Sequence, residues 1–337
     1  MVGTEIASNL VSRRKAQKRI KESRLVFTTC AGSGLGLLRT EEFEVVLVDE
    51  ASQQTEPETL IPLVKSCSRA ILVGDHVQLR ATVQQTAVAV GYDVSLFERH
   101  YNISDRPGVA KVMLDTQYRM HRTICDFSST EFYKGKLKTA VANDMRPLPA
   151  SQFPWPHNNR MVFVECLSPE DLGKQSKSNR GQVDVCRKVC ALLKSPPKRT
   201  ESEVKSDSTR SPVKLPAEHN GFEIAILTPY TNQKELLKSA IPSLEVNSID
   251  GYQGREADVI IFVTVRCNAH RETGFLKDMR RLNVAMTRAR AGVIVIGNKT
   301  TLSLAMEDDD DGASKSVWKR LIDGCTEIKE LPELVSD

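Results

Sequence analysis

Val45-Val46-Leu47-Val48-Asp49-Glu50 is the stretch that decides how this chain folds. Its aliphatic run reads as a buried strand, and two adjacent carboxylates stand at the C-terminal tip. Open parallel α/β sheets gather their ligands at such tips, where carboxylates can serve a magnesium-bound nucleoside triphosphate. Outward from it, Leu25–Cys30 reads as a strand followed by the turn Ala31-Gly32-Ser33-Gly34-Leu35-Gly36. On the other side come a helix around Glu58–Lys65 and a strand Ala70–Val73 ending in Gly74-Asp75-His76-Val77-Gln78-Leu79. A strand, a helix and a second strand at this spacing imply a right-handed parallel crossover.

Two readings of Asp49 and Glu50 stand side by side. The aspartate can hold a magnesium shell while the glutamate polarises an attacking water. Alternatively Asp-Glu-Ala-Ser simply opens a helix, satisfying backbone donors and the helix dipole. Gly74, Asp75 and Gln78 at the neighbouring tip favour the first, since a glutamine there can sense a γ-phosphate and orient water. The turn at Gly32–Gly36 has G-x-G-x-G spacing, which does not match a dinucleotide fingerprint.

Further along, a second α/β unit is expected to begin near Val112 and Leu114, with strands at Met161–Glu165, Glu223–Leu227, Val259–Val265 and Gly292–Ile296. Helices are expected at Asp184–Leu193, Asn232–Ala240 and Arg281–Arg290, with a short one at Ser95–Arg99. Residues 194–219, rich in Ser, Pro, Lys and Glu without an apolar period, read as a disordered insertion. Ser195-Pro196-Pro197-Lys198 and Ser211-Pro212-Val213-Lys214 fit a proline-directed kinase, although such tetrapeptides also arise by chance. The basic run Arg13–Arg24 reads as a helix with a solvated face, nucleic-acid contact or nuclear targeting being the alternatives. The acidic run Glu307–Asp311 reads as a solvated loop.

A length of 337 residues allows two domains, and a formal charge of +4 does not by itself establish a nucleic-acid partner. The eight cysteines contain no C-x-x-C pair, which argues against a zinc site or a disulfide framework and suits cytosol or nucleus. Cys186 and Cys190, one helical turn apart, read as packing residues. No stretch has the apolar length of a membrane span.

Six segments then occur in a telling order: Val46–Gln53, Gly74–Leu79, Gln117-Tyr118-Arg119-Met120-His121, Thr228-Pro229-Tyr230-Thr231-Asn232-Gln233, Ser248-Ile249-Asp250-Gly251-Tyr252-Gln253-Gly254-Arg255-Glu256 and Leu282-Asn283-Val284-Ala285-Met286-Thr287-Arg288-Ala289-Arg290. The series resembles motifs II to VI of superfamily-one helicases in the up-frameshift-like (nonsense-mediated-decay) branch, from about Leu25 to Asn298. The resemblance implies an α/β fold of two tandem RecA-like (P-loop NTPase) domains with parallel sheets. An incomplete first domain would span 1–106, the second 107–305, and a C-terminal acidic loop and helix 306–337. It implies ATP with Mg2+ between the domains and single-stranded RNA or DNA across their top. A monomeric motor in nucleus or cytoplasm, without a membrane, fits this picture.

Carried over by residue, the resemblance gives Asp49 the magnesium and Glu50 the role of catalytic base. Gln78 would link the γ-phosphate to the nucleic-acid site, with Gly74 and Asp75 beside it. Arg119 and Arg288 would reach the γ-phosphate, where a guanidinium fork meets spreading negative charge. Tyr118 would stack on adenine, and Gly254 and Glu256 would touch the nucleotide. Thr28, Thr29, Gly32, Tyr230 and Ser248 would contact the nucleic-acid backbone. Structural alternatives remain, an ion pair for Arg119, an interface core position for Tyr118 and a plain turn for Gly32 among them. Arg290 reads as a structural ion-pair partner.

Two departures stand out. Arg80-Ala81 replaces a Pro-Pro or Gly-Pro pair, so Arg80 could add a phosphate contact. No G-x-x-x-x-G-K-[S/T] occurs in the sequence, so that the β- and γ-phosphates lack their usual loop and lysine. An incomplete helicase chain is therefore expected, with little or no ATP turnover alone. A hydrolysis-deficient nucleic-acid-binding or regulatory protein is the alternative. A metal-dependent nuclease explains neither arginine motif.

Overall fold

The computed structural model describes residues 2–103, 107–171, 176–197, 221–304 and 312–334. It divides into two compact units, Met1–Val112 and Met113–Asp337. The insertion expected at 194–219 lies outside the described residues from 198 onward, with Ser211 in it, as does the acidic run 307–311.

In the first unit, helix α1 (Val2–Glu22) carries the basic run, α2 is Cys30–Ser33, and strands β1 (Val45–Val48) and β2 (Arg69–Leu72) flank helix α3 (Glu56–Leu63). The strands pair in parallel, Val45 with Arg69 through Val48 with Leu72. Helix α3 starts sharply because Thr55 and Glu58 form a capping box with Pro57 in the first turn. Val48 and Ala51 are buried, whereas Val45, Leu47 and Ile71 are exposed. Short helices α4 (Gln85–Val88) and α5 (Leu96–Asn102) complete the unit.

One strand expectation here is corrected. Residues 25–29 pair with no strand among the described residues, and Phe27 is 91% exposed. An apolar run becomes a strand only where a neighbour takes its backbone hydrogen bonds.

Val112 and Leu114 flank the boundary between the two units, and both are exposed. Strand β3 (Thr116–Gln117) pairs in parallel with β4 (Lys138–Thr139), with helix α6 (Arg122–Phe132) between them. The main sheet comprises β5 (Met161–Glu165), β6 (Ile224–Thr228), β7 (Glu245–Ser248), β8 (Ala257–Val263), β9 (Ala289–Gly297) and β10 (Thr326–Ile328). Its order is β10-β5-β9-β8-β6-β7, all parallel. Interleaved are α7 (Arg180–Lys194), α8 (Thr231–Ala240), α9 (Met279–Thr287), α10 (Lys299–Ser303) and α11 (Gly312–Gly324). The expected helix 281–290 therefore ends at Thr287, and Arg290 belongs to β9.

Both faces of this sheet are covered, which explains why β8 and β9 read as continuous apolar runs. Val259, Ile261 and Val263 join one core with Cys186, Val189 and Cys190 of α7. Phe262 points the other way and stacks on the buried Trp318 of α11, ring centroids 6.1 Å apart. Just beyond β8, Val265 is buried with a left-handed backbone (φ 74°). Gln182 holds it by accepting from its N–H (2.7 Å), and Asn179 by donating to its carbonyl (3.1 Å).

Candidate active site

The site residues fall into two groups, one on each unit. In the first, the tips of β1 and β2 are tied together. Ala51 N–H donates to the Val73 carbonyl (2.7 Å), and Asp75 N–H to Ser52 Oγ (3.2 Å). Gly74 sits so close that a Cβ there would stand 2.8 Å from the Ser52 nitrogen, so only glycine fits. Asp75 organises the following turn, accepting from Val77 N–H (3.2 Å) and from Gln78 Nε2 (2.7 Å).

Asp49 and Glu50 are exposed at the β1 tip. Asp49 Oδ1 accepts from the Glu50 N–H (2.9 Å), and Glu50 Oε2 accepts from Gln53 Nε2 (2.6 Å). Glu50 has a left-handed backbone (φ 51°) ahead of a short 3-10 turn, Ala51–Gln53, and caps it with no side-chain bond. A non-glycine residue held in this region stores about 1 kcal/mol or more of strain, a pattern concentrated at functional sites.

Arg80 is committed to carboxylates of its own unit. Its guanidinium grips both oxygens of Glu98 and reaches Asp93 (2.8 Å), two buried carboxylates. The Glu98 hydrogen bond, ahead of burial's opposing effect, pushes the Arg80 pKa up. Thr29 caps α2, its hydroxyl accepting from Gly32 N–H (3.0 Å), and Thr28 beside it is exposed.

On the second unit, three segments converge. Arg119 donates from Nε to Glu256 Oε2 (2.5 Å) and from Nη1 to the Thr287 carbonyl (2.9 Å). Arg288 is buried, its Nη2 donating to the Thr287 hydroxyl (3.1 Å) and its Nε to the Val284 carbonyl (3.2 Å). Both guanidinium groups therefore meet at Thr287. Arg290 donates to Asp258 (2.8 Å), to Glu256 Oε1 (3.2 Å) and to Glu223. Burial alone would raise the Glu256 pKa, but Arg119 and Arg290 together hold its carboxyl below the usual range.

The backbone around Arg119 is fixed by residues that sequence reasoning left unassigned. Gln117 Oε1 accepts from the N–H of both Arg119 and Met120 (2.7 Å each). Arg146 donates to the carbonyls of Arg119 (2.8 Å) and Tyr118 (2.9 Å). Gln117 lies inside a recognised motif, which could have flagged it, whereas nothing in the sequence marks Arg146. Tyr118 is 71% exposed, so its ring face is free to stack. Gly254 has φ +76°, the conformation that turns the chain towards Glu256.

The two second-unit residues expected to contact nucleic acid differ in burial. Tyr230 is buried, its ring against Phe275 and its hydroxyl accepting from Arg266 (3.4 Å), so it presents no open face. Ser248 is half-buried and its Oγ accepts from Gly251 N–H (3.1 Å). Among the described residues no group of three or more His, Cys, Asp or Glu could hold a metal, and no helix is long and apolar enough to cross a membrane.

Models of AAA domains match residues 4–86 and 92–300. The regulator of nonsense transcripts 1 homolog of Arabidopsis thaliana is 36% identical over 86% of this chain and 22% of its own length. The ATP-dependent helicase NAM7 of Saccharomyces cerevisiae is 33% identical over 92% of the chain and 30% of its own. For the ATP-dependent helicase upf1 of Schizosaccharomyces pombe the figures are 35%, 93% and 32%. The chain thus spans about a fifth to a third of the length of these curated relatives. A solved structure of the PRRSV helicase is 18% identical, with a TM-score of 0.37 over 74% of this chain and 34% of that one. The parallel α/β units, the ordered motifs and the matched models together place this chain in the AAA-domain family, in its superfamily-one, up-frameshift-like helicase branch.

Proposed function

We propose that the chain carries the motor chemistry of an ATP-dependent helicase or translocase acting on single-stranded RNA or DNA. The observation that supports this most is the convergence of Arg119 and Arg288 on Thr287. Two cations at one spot suit the charge that develops on a transferring phosphoryl group, and an arginine so placed is worth roughly 10³–10⁵ in rate. In this reading Glu50 draws the proton of the attacking water and Gln78, aimed by Asp75, relays the state of the γ-phosphate. Gly74, Asp75, Tyr118, Gly254 and Glu256 frame the nucleotide.

The β1 tip fits a magnesium ion of the kind nucleotides carry. Magnesium keeps most of its waters and takes only one or two carboxylates plus phosphate oxygens. Asp49 commits Oδ1 to a backbone N–H and has Oδ2 left for that shell. When bound, the ion would neutralise phosphate charge. Thr28, Thr29, Gly32 and Ser248 would hold the nucleic-acid backbone, and Tyr230 would support them from beneath. Residues 1–106 and 107–305 are the two RecA-like domains of this reading, with 306–337 as a C-terminal segment, and the chain works as a monomer in nucleus or cytoplasm.

A second reading rests on the sequence's lack of a phosphate-loop lysine. It makes the chain a nucleic-acid-binding or regulatory module without hydrolysis. One measurement separates the two: ATP hydrolysis by the purified chain with and without a single-stranded oligonucleotide. Stimulated turnover abolished by Glu50→Gln establishes the motor reading. Salt-dependent oligonucleotide binding without turnover, the outcome we expect of the chain alone, favours the second. Neither binding nor turnover removes both.

A further inference from the structure

Glu256 is shared by Arg119 and Arg290, and the two arginines hold it differently. Arg290 has carboxylates on three sides, namely Glu256, Asp258 and Glu223. Arg119 has one charged partner, Glu256, and one neutral one, the Thr287 carbonyl. The backbones on both sides are fixed. Gln117 and Arg146 clamp the segment at Arg119, while Tyr252 Oη donates to the Glu256 carbonyl (3.1 Å). Arg255, next in sequence, is tied to Glu245. Only side-chain rotation is left to part Arg119 from Glu256.

We propose that Glu256 is a positioning residue that parks Arg119, one carboxylate oxygen occupying the Nε–H donor that a phosphate oxygen would otherwise take. The inference deepens the reading above and rests on it: a polyphosphate reaching Arg119 competes with Glu256 for the Nε–H. The exposures suit a releasable hold, since the Arg119 and Glu256 side chains are 32% and 39% exposed and their attraction is screened by water. Arg290 remains bound to Asp258 and Glu223 when Glu256 lets go, so it retains the released carboxylate nearby. A guanidinium N–H donates to a carboxylate or a phosphate oxygen alike, so a phosphate oxygen can replace the single Glu256 oxygen that Arg119 Nε holds. Sequence reasoning gave Glu256 to the nucleotide itself. Its bond to Arg119 supplies a second role.

The test is arginine-selective labelling of the full chain with phenylglyoxal, mapped by mass spectrometry at Arg119, in the native protein, E256Q and E256D. Circular dichroism confirms that each variant is folded, and E256D keeps the charge on a shorter arm should E256Q unfold. Expected is faster labelling of Arg119 in both variants, by about two- to fivefold in E256Q, the range for releasing a half-exposed ion pair. Inorganic tripolyphosphate should then protect Arg119 at a correspondingly lower concentration in E256Q than in the native chain. Equal labelling of Arg119 in all three proteins overturns the parking role whatever the chain's function. Faster labelling without tripolyphosphate protection in any of them overturns the competition and counts against the phosphate-facing reading of Arg119.

Discussion

Arg80 and Arg119 are both arginines gripped by carboxylates, yet depth separates them. The partners of Arg80, Asp93 and Glu98, are buried, so removing the cation leaves two carboxylates with no compensating charge. Breaking a buried pair in this way costs about 3–5 kcal/mol, far more than an exposed pair returns. Arg80→Ala is therefore expected to destabilise the first unit by about 3 kcal/mol in urea denaturation. A loss under about 1 kcal/mol would show the clamp to be ornamental. Glu165 supplies a pH-dependent counterpart. Burial pushes its carboxyl above the usual range, against the Lys299 N–H that hydrogen-bonds it, with Glu327 adding to the rise and Asn298 opposing it. A carboxyl raised in the folded state favours folding while protonated. That contribution is complete below the unfolded pKa and is lost as pH rises through the folded one. Glu165→Gln, which keeps an acceptor for Lys299, should raise the melting temperature at pH 7 and leave it nearly unchanged at pH 4. The opposite ranking would mean the carboxylate stabilises the fold when charged. The residues at the strand tips were legible because Asp49, Glu50 and Gln78 close apolar runs. The clamp on Arg80 was not, since its partners lie on a helix and loop that only folding brings near. The sequence reading put Tyr230 on the nucleic-acid surface, and the packing of Phe275 and Arg266 around its ring buries it instead.

At the scale of elements, the sheet of the second unit is legible where strands are central and obscure at its edges. Met161–Glu165 reads correctly because every residue but Glu165 is buried. Strand β7 escapes notice because Val246 is its only buried residue. Strand β10 is another edge, with all three residues half-buried. Leu25–Cys30 shows the converse: apolar composition without a pairing neighbour gives extended chain, not sheet. Helix α11 buries Leu321 and Ile322 beside its largest anchor, Trp318. Trp318 is fully buried against Phe262 and donates from Nε1 to the Leu276 carbonyl (3.0 Å). Trp318→Ala removes both and should cost about 3–5 kcal/mol, read as a lowered denaturation midpoint with loss of tryptophan fluorescence change. An unaltered midpoint would mean the helix is held by other contacts.

For the molecule as a whole, the two units differ in how well their sheets are covered. The second buries both faces, while the first leaves Val45, Leu47 and Ile71 exposed. Limited proteolysis should accordingly leave fragments from 113–337 outlasting those from 25–105. A resistant core within 25–105 would reverse the ranking. The contrast follows from the pairing, because a two-strand unit cannot bury a sheet on both sides.

The strand order has one more consequence, for synthesis. Strand β5 sits between β9 and β10, both of which follow it late in the chain, and Met161 pairs with Val293. A ribosome emits the chain from its N-terminus, so β5 emerges long before either neighbour exists. Strands β6, β7 and β8 can assemble among themselves first, but β5 must wait for Ala289–Gly297. A nascent chain stalled before Ala289 carries an apolar strand with no place in a sheet, and it is there that a chaperone would find this protein most in need of shelter.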